Sequence, residues 1–216
     1  MRHGNRPLGN MTLTNTAMRF SLTGGVLAGG HGVRMSGVDK GWMEVGGQPL
    51  IERVLQRLQP QVGSVIINAN RQVSDYARFG WPVVCDALPD FAGPLAGISA
   101  VLDAASTDWV LFVPVDAVRL PDDLASRLCA AVKENASSAA FVSTVDGPMP
   151  VCSLVSRALR DDLRTNLTSG ERSVQGWLRR HNAASFLYEN WPRDYWSLNT
   201  PEEKCRVEAL LANNQG

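Results

Sequence analysis

The run DWVLFVPV at residues 108–115 is the most apolar stretch of the chain, and it limits the fold more than any other feature. A strand that is apolar on both faces has to be covered on both faces, and a parallel sheet flanked by helices provides that cover. Strand and helix patterns alternate along most of the chain, and the β-branched run SVIINA at 64–69 is a second clear strand. The alternation predicts a three-layer α/β/α sandwich with a mostly parallel sheet, in which 108–115 is a central parallel strand.

The same patterns predict the other elements. A helix opens at Pro49, because proline suits a first helical turn, and its apolar stripe is Leu50, Val54, Leu55 and Leu58. A second helix start is indicated by TPEE at 200–203, which combines a threonine cap, a proline and a glutamate. The remaining predicted strands are 25–27, 82–85, 139–144, 150–155 and 195–198, and the remaining predicted helices are 95–105, 122–133, 170–180 and 201 to about 211. The strands 139–144 and 150–155 are expected to face each other across a VDGP turn.

Composition and charge exclude several classes of protein. The 21 lysines and arginines balance 21 aspartates and glutamates, so the chain lacks the basic excess of a general nucleic-acid or anionic-membrane binder. No run approaches the roughly 20 apolar residues of a membrane span. The four cysteines lack zinc-site spacing, which favours reduced thiols and a cytoplasmic protein. The polar stretch 1–22 is expected to be a disordered tail, and 23–212 a single domain.

A glycine-rich segment, VLAGGHGVRMSGVDKG at 26–41, follows the first predicted strand. Glycines let the backbone turn tightly and leave several N–H groups free to point at one anion. Arg34 and Lys40 add positive charge to such a bend. The segment lacks the Lys-Ser/Thr pair of a P-loop, because Gly41 follows Lys40, and it does not complete a dinucleotide fingerprint. It therefore predicts a polyphosphate cradle of another kind.

Three polar residues stand at the ends of later predicted strands: Asn68, Asp86 and Asp116. In open α/β sheets, ligands bind outside the carboxyl ends of the strands, so these side chains are expected to meet the glycine-rich segment at one edge. Donor N–H groups, two cations, two carboxylates and an amide are what metal-assisted chemistry on a nucleoside triphosphate requires.

The same residues carry a family resemblance. The run LAGGHGVRMSGVDKG resembles the opening signature of the molybdenum cofactor guanylyltransferases. The resemblance continues through INANR, the spaced DxLxDxxGPLAG, FVPVD, GER and LNTPEE, and it covers residues 25 to about 206. It implies a Rossmann-like nucleotidyltransferase that transfers GMP from GTP to molybdopterin with Mg²⁺, releasing pyrophosphate. It also implies contacts with cofactor-biosynthesis proteins and molybdoenzyme chaperones.

The resemblance assigns roles to individual residues. It implies that Asp116 binds Mg²⁺, that Lys40 binds phosphate, and that Lys40 and Arg34 stabilise charge on the departing pyrophosphate. Arg172 and Asn199 are the candidate contacts to the acceptor. The nucleotide-binding positions that it implies are Leu27, Ala28, Gly29, Gly30, Lys40, Asn68, Asp86 and Asp116.

Two alternatives stay open at this point. One is a related nucleotidyltransferase that uses CTP or another phosphorylated acceptor, although CTP-using relatives tend to carry alanines where Gly29 and Gly30 stand. The other is a non-catalytic protein that binds a nucleotide or the cofactor. Asp116 also suits a helix cap and Asn68 a strand end, so each single residue has a structural interpretation as well.

The chain departs from the family pattern at two places. The family often has PCDTP at the metal strand, whereas Val115, Ala117 and Val118 surround Asp116 here. Many relatives carry a histidine where Met149 precedes Pro150 in this chain. A methionine cannot donate a strong hydrogen bond, so the contact to the pterin is expected to differ there.

Overall fold

The computed structural model describes residues 22–29, 39–86, 93–189, 198 and 201–213. The predicted tail, apart from Leu22, lies outside these ranges, as do the site candidates Gly30, Arg34 and Asn199. The predicted strand 195–198 falls outside them except for Leu198.

A seven-stranded sheet forms the centre of the described structure, and a short two-stranded hairpin lies beside it. The strand order in the large sheet is β5-β4-β1-β6-β8-β7-β9. Strand β8 runs antiparallel to both of its neighbours, and the other pairings are parallel. The strands are β1 (Leu22–Leu27), β2 (Glu44–Val45), β3 (Gln48–Pro49), β4 (Ser64–Asn68), β5 (Val83–Val84), β6 (Trp109–Pro114), β7 (Ala139–Thr144), β8 (Gly147–Ser156) and β9 (Ala184–Leu187), with β2 and β3 forming the hairpin.

Helices cover both faces of the sheet, which confirms the predicted three-layer α/β architecture. Neighbouring side chains of β6 point to opposite faces, so Leu111 packs with α1 and α4 while Phe112 packs with α3, α5 and α6. The helices are α1 (Leu50–Leu58), α2 (Val73–Ala77), α3 (Pro94–Ala104), α4 (Leu124–Glu134), α5 (Arg160–Thr168), α6 (Val174–Arg180) and α7 (Pro201–Asn213). Within the described ranges, no helix combines the length and apolar character needed to span a membrane.

The structure corrects several predicted elements. Strand β6 was expected to have parallel neighbours, but β8 pairs with it antiparallel. The predicted VDGP turn is confirmed as the hairpin between β7 and β8. A short hairpin can join only antiparallel strands, and β7 runs in the same direction as β6, so β8 is antiparallel to both. Strand β1 begins at Leu22, inside the predicted tail and before the predicted 25–27. Helix α6 begins only at Val174, because the Ser173 side chain accepts the Gly176 N–H and caps it there.

Elements without a strong apolar pattern were missed. Helix α5 buries only Leu163 and Leu167 among its nine residues, too few to mark a helix by periodicity. The hairpin of β2 and β3, the short helix α2 and the edge strand β9 were also not predicted.

Candidate active site

Four parallel strands end level with one another at one edge of the sheet. The register pairs Leu27 with both Asn68 and Pro114, and it pairs Asn68 with Val84. The Ala28 N–H donates to the Asn68 carbonyl at 2.8 Å. The carboxyl ends of these strands therefore lie side by side, as the position of polar residues at strand ends predicted.

A carboxylate held by two amides occupies one side of this edge. Asp86 accepts a hydrogen bond from Asn68 Nδ2 on Oδ1 at 2.9 Å and from Asn70 Nδ2 on Oδ2 at 2.8 Å. The Asp86 N–H in turn donates to Asn70 Oδ1 at 2.8 Å, and Asn70 Nδ2 also donates to the Gly29 carbonyl at 3.0 Å. Asn70 thus joins Gly29 to Asp86, and this link fixes the Asp86 carboxylate in place.

Asn70 was not among the predicted site residues. The available signal was its position two residues after Asn68 in the INANR run, just beyond the strand end. Asn68 itself is buried, with 2% of its surface exposed, whereas Asn70 is exposed and Asp86 is partly exposed. The polar groups of Asp86 and Asn70 are therefore accessible to solvent, while the buried Asn68 holds Asp86 in position.

The first turn of α3 packs closely onto Asn68. A Cβ added at Gly97 would overlap Asn68 Oδ1 and would lie 3.2 Å from Leu27 Cδ2. A side chain at this position would push the helix away from the ends of β1 and β4. The close approach of α3 to Asn68 therefore explains the glycine at position 97, the last residue of the GPLAG run.

A pair of opposite charges forms the other side of the edge. Lys40 Nζ lies 2.6 Å from Asp116 Oδ2, although the two residues are 76 positions apart. Lys40 begins a single 3₁₀ turn over Lys40–Trp42, and Asp116 follows β6. The side chains are 28% and 16% exposed, so the pair is accessible from the open edge.

Asp116 is a carboxylate of the kind that can bind Mg²⁺ together with phosphate oxygens. Among the described residues, no three His, Cys, Asp or Glu side chains form a cluster that would hold a metal without substrate. Mg²⁺ is commonly bound by one or two carboxylates together with substrate phosphates, so a single partly exposed carboxylate fits that mode. Burial, and then the Asp116 carboxylate, raise the pKa of the nearby Cys152 thiol well above its usual range, which leaves it protonated and a poor metal ligand.

The departures from the family pattern are packing residues. Val115, Ala117 and Val118 are all buried, and Val118 lies in a separate apolar cluster. We call this the edge cluster; its members are Met43, Val45, Leu50, Val118, Leu198 and Val207. Met149 is buried in the main core, so its side chain fills the interior. The turn at Asp116 is kept by backbone bonds, with Val118 N–H donating to the Asp116 carbonyl at 2.9 Å.

Of the two acceptor candidates, Arg172 lies within the described residues. It is exposed, and its Nη1 donates to the Leu167 carbonyl at 3.2 Å and the Glu171 carbonyl at 2.8 Å. Its own carbonyl oxygen lies 3.8 Å from the Cβ position of Gly93, the residue that precedes α3. Because α3 begins beside the site, Arg172 lies near the same edge of the sheet.

Three comparisons with known proteins agree with this geometry. Residues 24–184 match the family model described as the MobA-like NTP transferase domain. The chain is 38% identical over 194 residues to the molybdenum cofactor guanylyltransferase of Shewanella sp. (strain MR-4), covering 90% of this chain and 98% of that protein. It is 44% identical over 178 residues to the protein of that name from Ralstonia nicotianae, covering 78% and 87% respectively.

Solved structures show the same fold at low identity. The molybdopterin-guanine dinucleotide biosynthesis protein A of Archaeoglobus fulgidus superposes with a TM-score of 0.73 at 21% identity, covering 88% of this chain and 99% of that one. A CMP:2-keto-3-deoxy-manno-octonic acid synthetase complexed with CTP superposes with a TM-score of 0.70 at 15% identity, covering 90% and 99%. The fold is therefore shared by proteins named for guanine and for cytosine nucleotides.

Proposed function

The chain belongs to the molybdenum cofactor guanylyltransferase family, and from this membership we propose that it transfers GMP from GTP to molybdopterin, with release of pyrophosphate. The observation that carries the proposal is the pairing of two different polar clusters at one sheet edge: the amide-held Asp86 and the Lys40–Asp116 pair. Residues 23–212 are proposed to form the domain that does this.

The Asp86 side of the edge suits a guanine base. A carboxylate offers about four acceptor sites, and the two amides use only part of that capacity. Guanine presents two adjacent donors, its ring N–H and its exocyclic amino group, which a fixed carboxylate can accept together. Cytosine presents a single donor edge and matches a carboxylate less well. The chemistry of this cluster therefore favours GTP over the CTP alternative. Leu27, Ala28, Gly29 and Gly30 remain the proposed nucleotide-binding positions of the glycine-rich segment.

The charged side of the edge suits the phosphates. An oxygen of the terminal molybdopterin phosphate attacks the α-phosphorus of GTP, a new P–O–P bond forms, and the bond to the β-phosphate breaks. Lys40 and Arg34 would neutralise the charge that builds on the departing pyrophosphate. Asp116 would hold Mg²⁺, which supplies further charge neutralisation at the phosphate oxygens when bound. No enzyme nucleophile is needed, because positioning and charge neutralisation suffice for this transfer.

The acceptor side rests on Arg172 and Asn199. The backbone that carries Arg172 is held in place, because the Glu171 side chain accepts the N–H groups of Arg172 and Ser173 at 2.9 and 2.8 Å. Glu171 also forms a 2.5 Å ion pair with Arg180 of α6. These bonds, with that of the Ser173 N–H first, lower the pKa of the Glu171 carboxyl. A guanidinium on a fixed turn can bind a pterin phosphate through two parallel hydrogen bonds.

One assay separates the proposal from both alternatives. The purified protein is incubated with molybdopterin and Mg²⁺ and either GTP or CTP, and pyrophosphate release and the dinucleotide product are measured. We expect release with GTP and little with CTP. Release with CTP in preference to GTP would favour a cytidylyltransferase. GTP binding without pyrophosphate release would favour a non-catalytic binding protein.

A further inference from the structure

Lys40 is connected to the protein interior through the residue before it. Asp39 Oδ1 accepts the hydroxyl of Tyr76 at 2.7 Å and the N–H of Gly41 at 3.0 Å. Asp39 therefore caps the turn that begins with Lys40 and ties that turn to α2, which carries Tyr76. These contacts fix the backbone from which the Lys40 side chain reaches Asp116.

Tyr76 is fitted closely to this turn. Its side chain is fully buried, and its ring lies 5.2 Å from the ring of Trp42, the last residue of the turn. Trp42 also stacks on Phe79 with ring centroids 5.8 Å apart. A Cβ added at Gly41 would overlap the Tyr76 hydroxyl oxygen, so the glycine is required for the approach of that hydroxyl.

The hydroxyl is the part of Tyr76 that packing does not explain. A phenylalanine would fill the same volume without placing a polar group in the interior, where an unpaired hydroxyl is costly. Burial, and then the hydrogen bond to Asp39, raise the pKa of the Tyr76 hydroxyl far above its usual value, so it remains a donor. The hydrogen-bond partner of this hydroxyl is Asp39, which directly precedes Lys40, the phosphate-binding candidate.

We propose that Tyr76 is a positioning residue for guanylyl transfer, acting through Asp39 and the Lys40–Trp42 turn to hold the Lys40 ammonium against Asp116 and the phosphates. The inference rests on the proposed function, because its effect is measured on that reaction. Tyr76 touches neither the nucleotide nor the acceptor in this role; it determines where the charge of Lys40 lies.

Tyr76→Phe removes the hydroxyl and keeps the ring. Because a displacement of about 1 Å of a catalytic group can cost about a hundredfold in rate, we expect kcat to fall by about tenfold or more. The charge of Lys40 acts mainly on the departing pyrophosphate, so the KM for GTP is expected to change by less than about threefold. A loss of stability alone would lower the melting temperature without changing kcat per folded molecule in this way.

A double-mutant cycle tests whether the effect passes through Lys40. Tyr76→Phe, Lys40→Ala and the double variant are compared in the pyrophosphate assay, with thermal unfolding and GTP titration as checks on folding. We expect Tyr76→Phe to change the residual rate of Lys40→Ala by less than about twofold, because residues that act as a unit are not additive. An additive loss in the double variant would overturn the proposal.

Two further variants complete the experiment. Asp39→Ala is expected to lower kcat as Tyr76→Phe does, and to add little to it in combination. Tyr188→Phe is the matched control: its hydroxyl donates to Asp123 at 3.4 Å beyond the edge strand β9, and its loss is expected to leave kcat unchanged. If wild-type protein releases pyrophosphate and Tyr76→Phe is equally fast, this inference fails alone. If wild-type protein is inactive with GTP and molybdopterin, the proposed function itself fails.

Discussion

The two sides of the active-site edge are built on different physical principles. At Asp86, the charge is held by neutral amide donors from Asn68 and Asn70, both on the same chain segment, and a backbone bond completes the cluster. At Asp116, the charge is met by one ammonium from Lys40, which comes from a distant part of the sequence. We expect the first arrangement to keep its shape with and without a ligand, because each oxygen of Asp86 has an amide donor. We expect the second to rearrange when a phosphate or a metal ion binds, because either would compete for one of its two charges.

The difference predicts that one side of the edge selects the ligand and the other acts on the reaction rate. A preorganised acceptor cluster discriminates among ligands, because a base that fails to match it leaves polar groups unpaired. A pair of opposite charges discriminates little among ligands, but it can stabilise charge that develops during the reaction. Variants on the Asp116 side should therefore act on kcat, and variants on the Asp86 side should act on the KM for GTP.

Asp116→Ala is expected to have the largest effect. Loss of the carboxylate removes the candidate metal ligand, and kcat should fall by about a thousandfold or more. GTP binding without metal should survive in part, because the Asp86 cluster is untouched. Pyrophosphate release and calorimetric GTP titration with and without Mg²⁺ measure the two effects, with Asp122→Ala as a control at an exposed ion pair. Turnover like that of the wild type would remove Asp116 from the mechanism.

Lys40→Ala is expected to come next. Loss of the ammonium should lower kcat by about a hundredfold, because one donor to developing negative charge is missing. The free energy of unfolding should change by less than about 1 kcal/mol, since the ion pair is partly exposed to solvent. Urea unfolding and steady-state kinetics check both values, with Lys133→Ala as the control. A variant that unfolds would make Lys40 a structural residue.

Asn70→Ala should have the smallest effect of the three, and a different kind of effect. The variant frees one oxygen of Asp86 and breaks the link to the Gly29 carbonyl, so the KM for GTP should rise by about tenfold, equivalent to about 1.4 kcal/mol. The value of kcat should stay within about threefold. Asn135→Ala, which removes only a contact at the end of α4, serves as the control. A fall in kcat with an unchanged KM would contradict the division between the two sides.

The sequence predicted the parts of the fold and site that depend on local pattern. The apolar run at β6 and the alternation of strands and helices predicted the layers, and the position of Asn68, Asp86 and Asp116 at strand ends predicted that they meet at one edge. The resemblance to the molybdenum cofactor guanylyltransferases was confirmed by relatives at 38% and 44% identity. The individual roles of the site residues stay predictions.

The features that were missed depend on contacts between distant segments. The hydrogen bond from Tyr76 to Asp39 spans 37 positions, and in the sequence Tyr76 is only one aromatic residue in a short helix. The turn between β7 and β8 was predicted, but the antiparallel pairing of β8 with β6 was not, because the hydrophobic pattern does not report which strands become neighbours in a sheet. The departures at Val115, Ala117 and Val118 also became intelligible only when their burial was known.

The edge cluster has a consequence for exchanging parts between relatives. Met43 and Val45 follow Lys40, Val118 follows Asp116, and Leu198 and Val207 come from the C-terminal segment, yet these residues fill one small apolar volume. Substitutions at residues that are in contact do not have additive effects on the free energy of unfolding. A C-terminal segment grafted from another family member brings side chains that pack against that member's residues at these positions. A chimera that keeps its activity will therefore carry over positions 43, 45, 50 and 118 together with the graft.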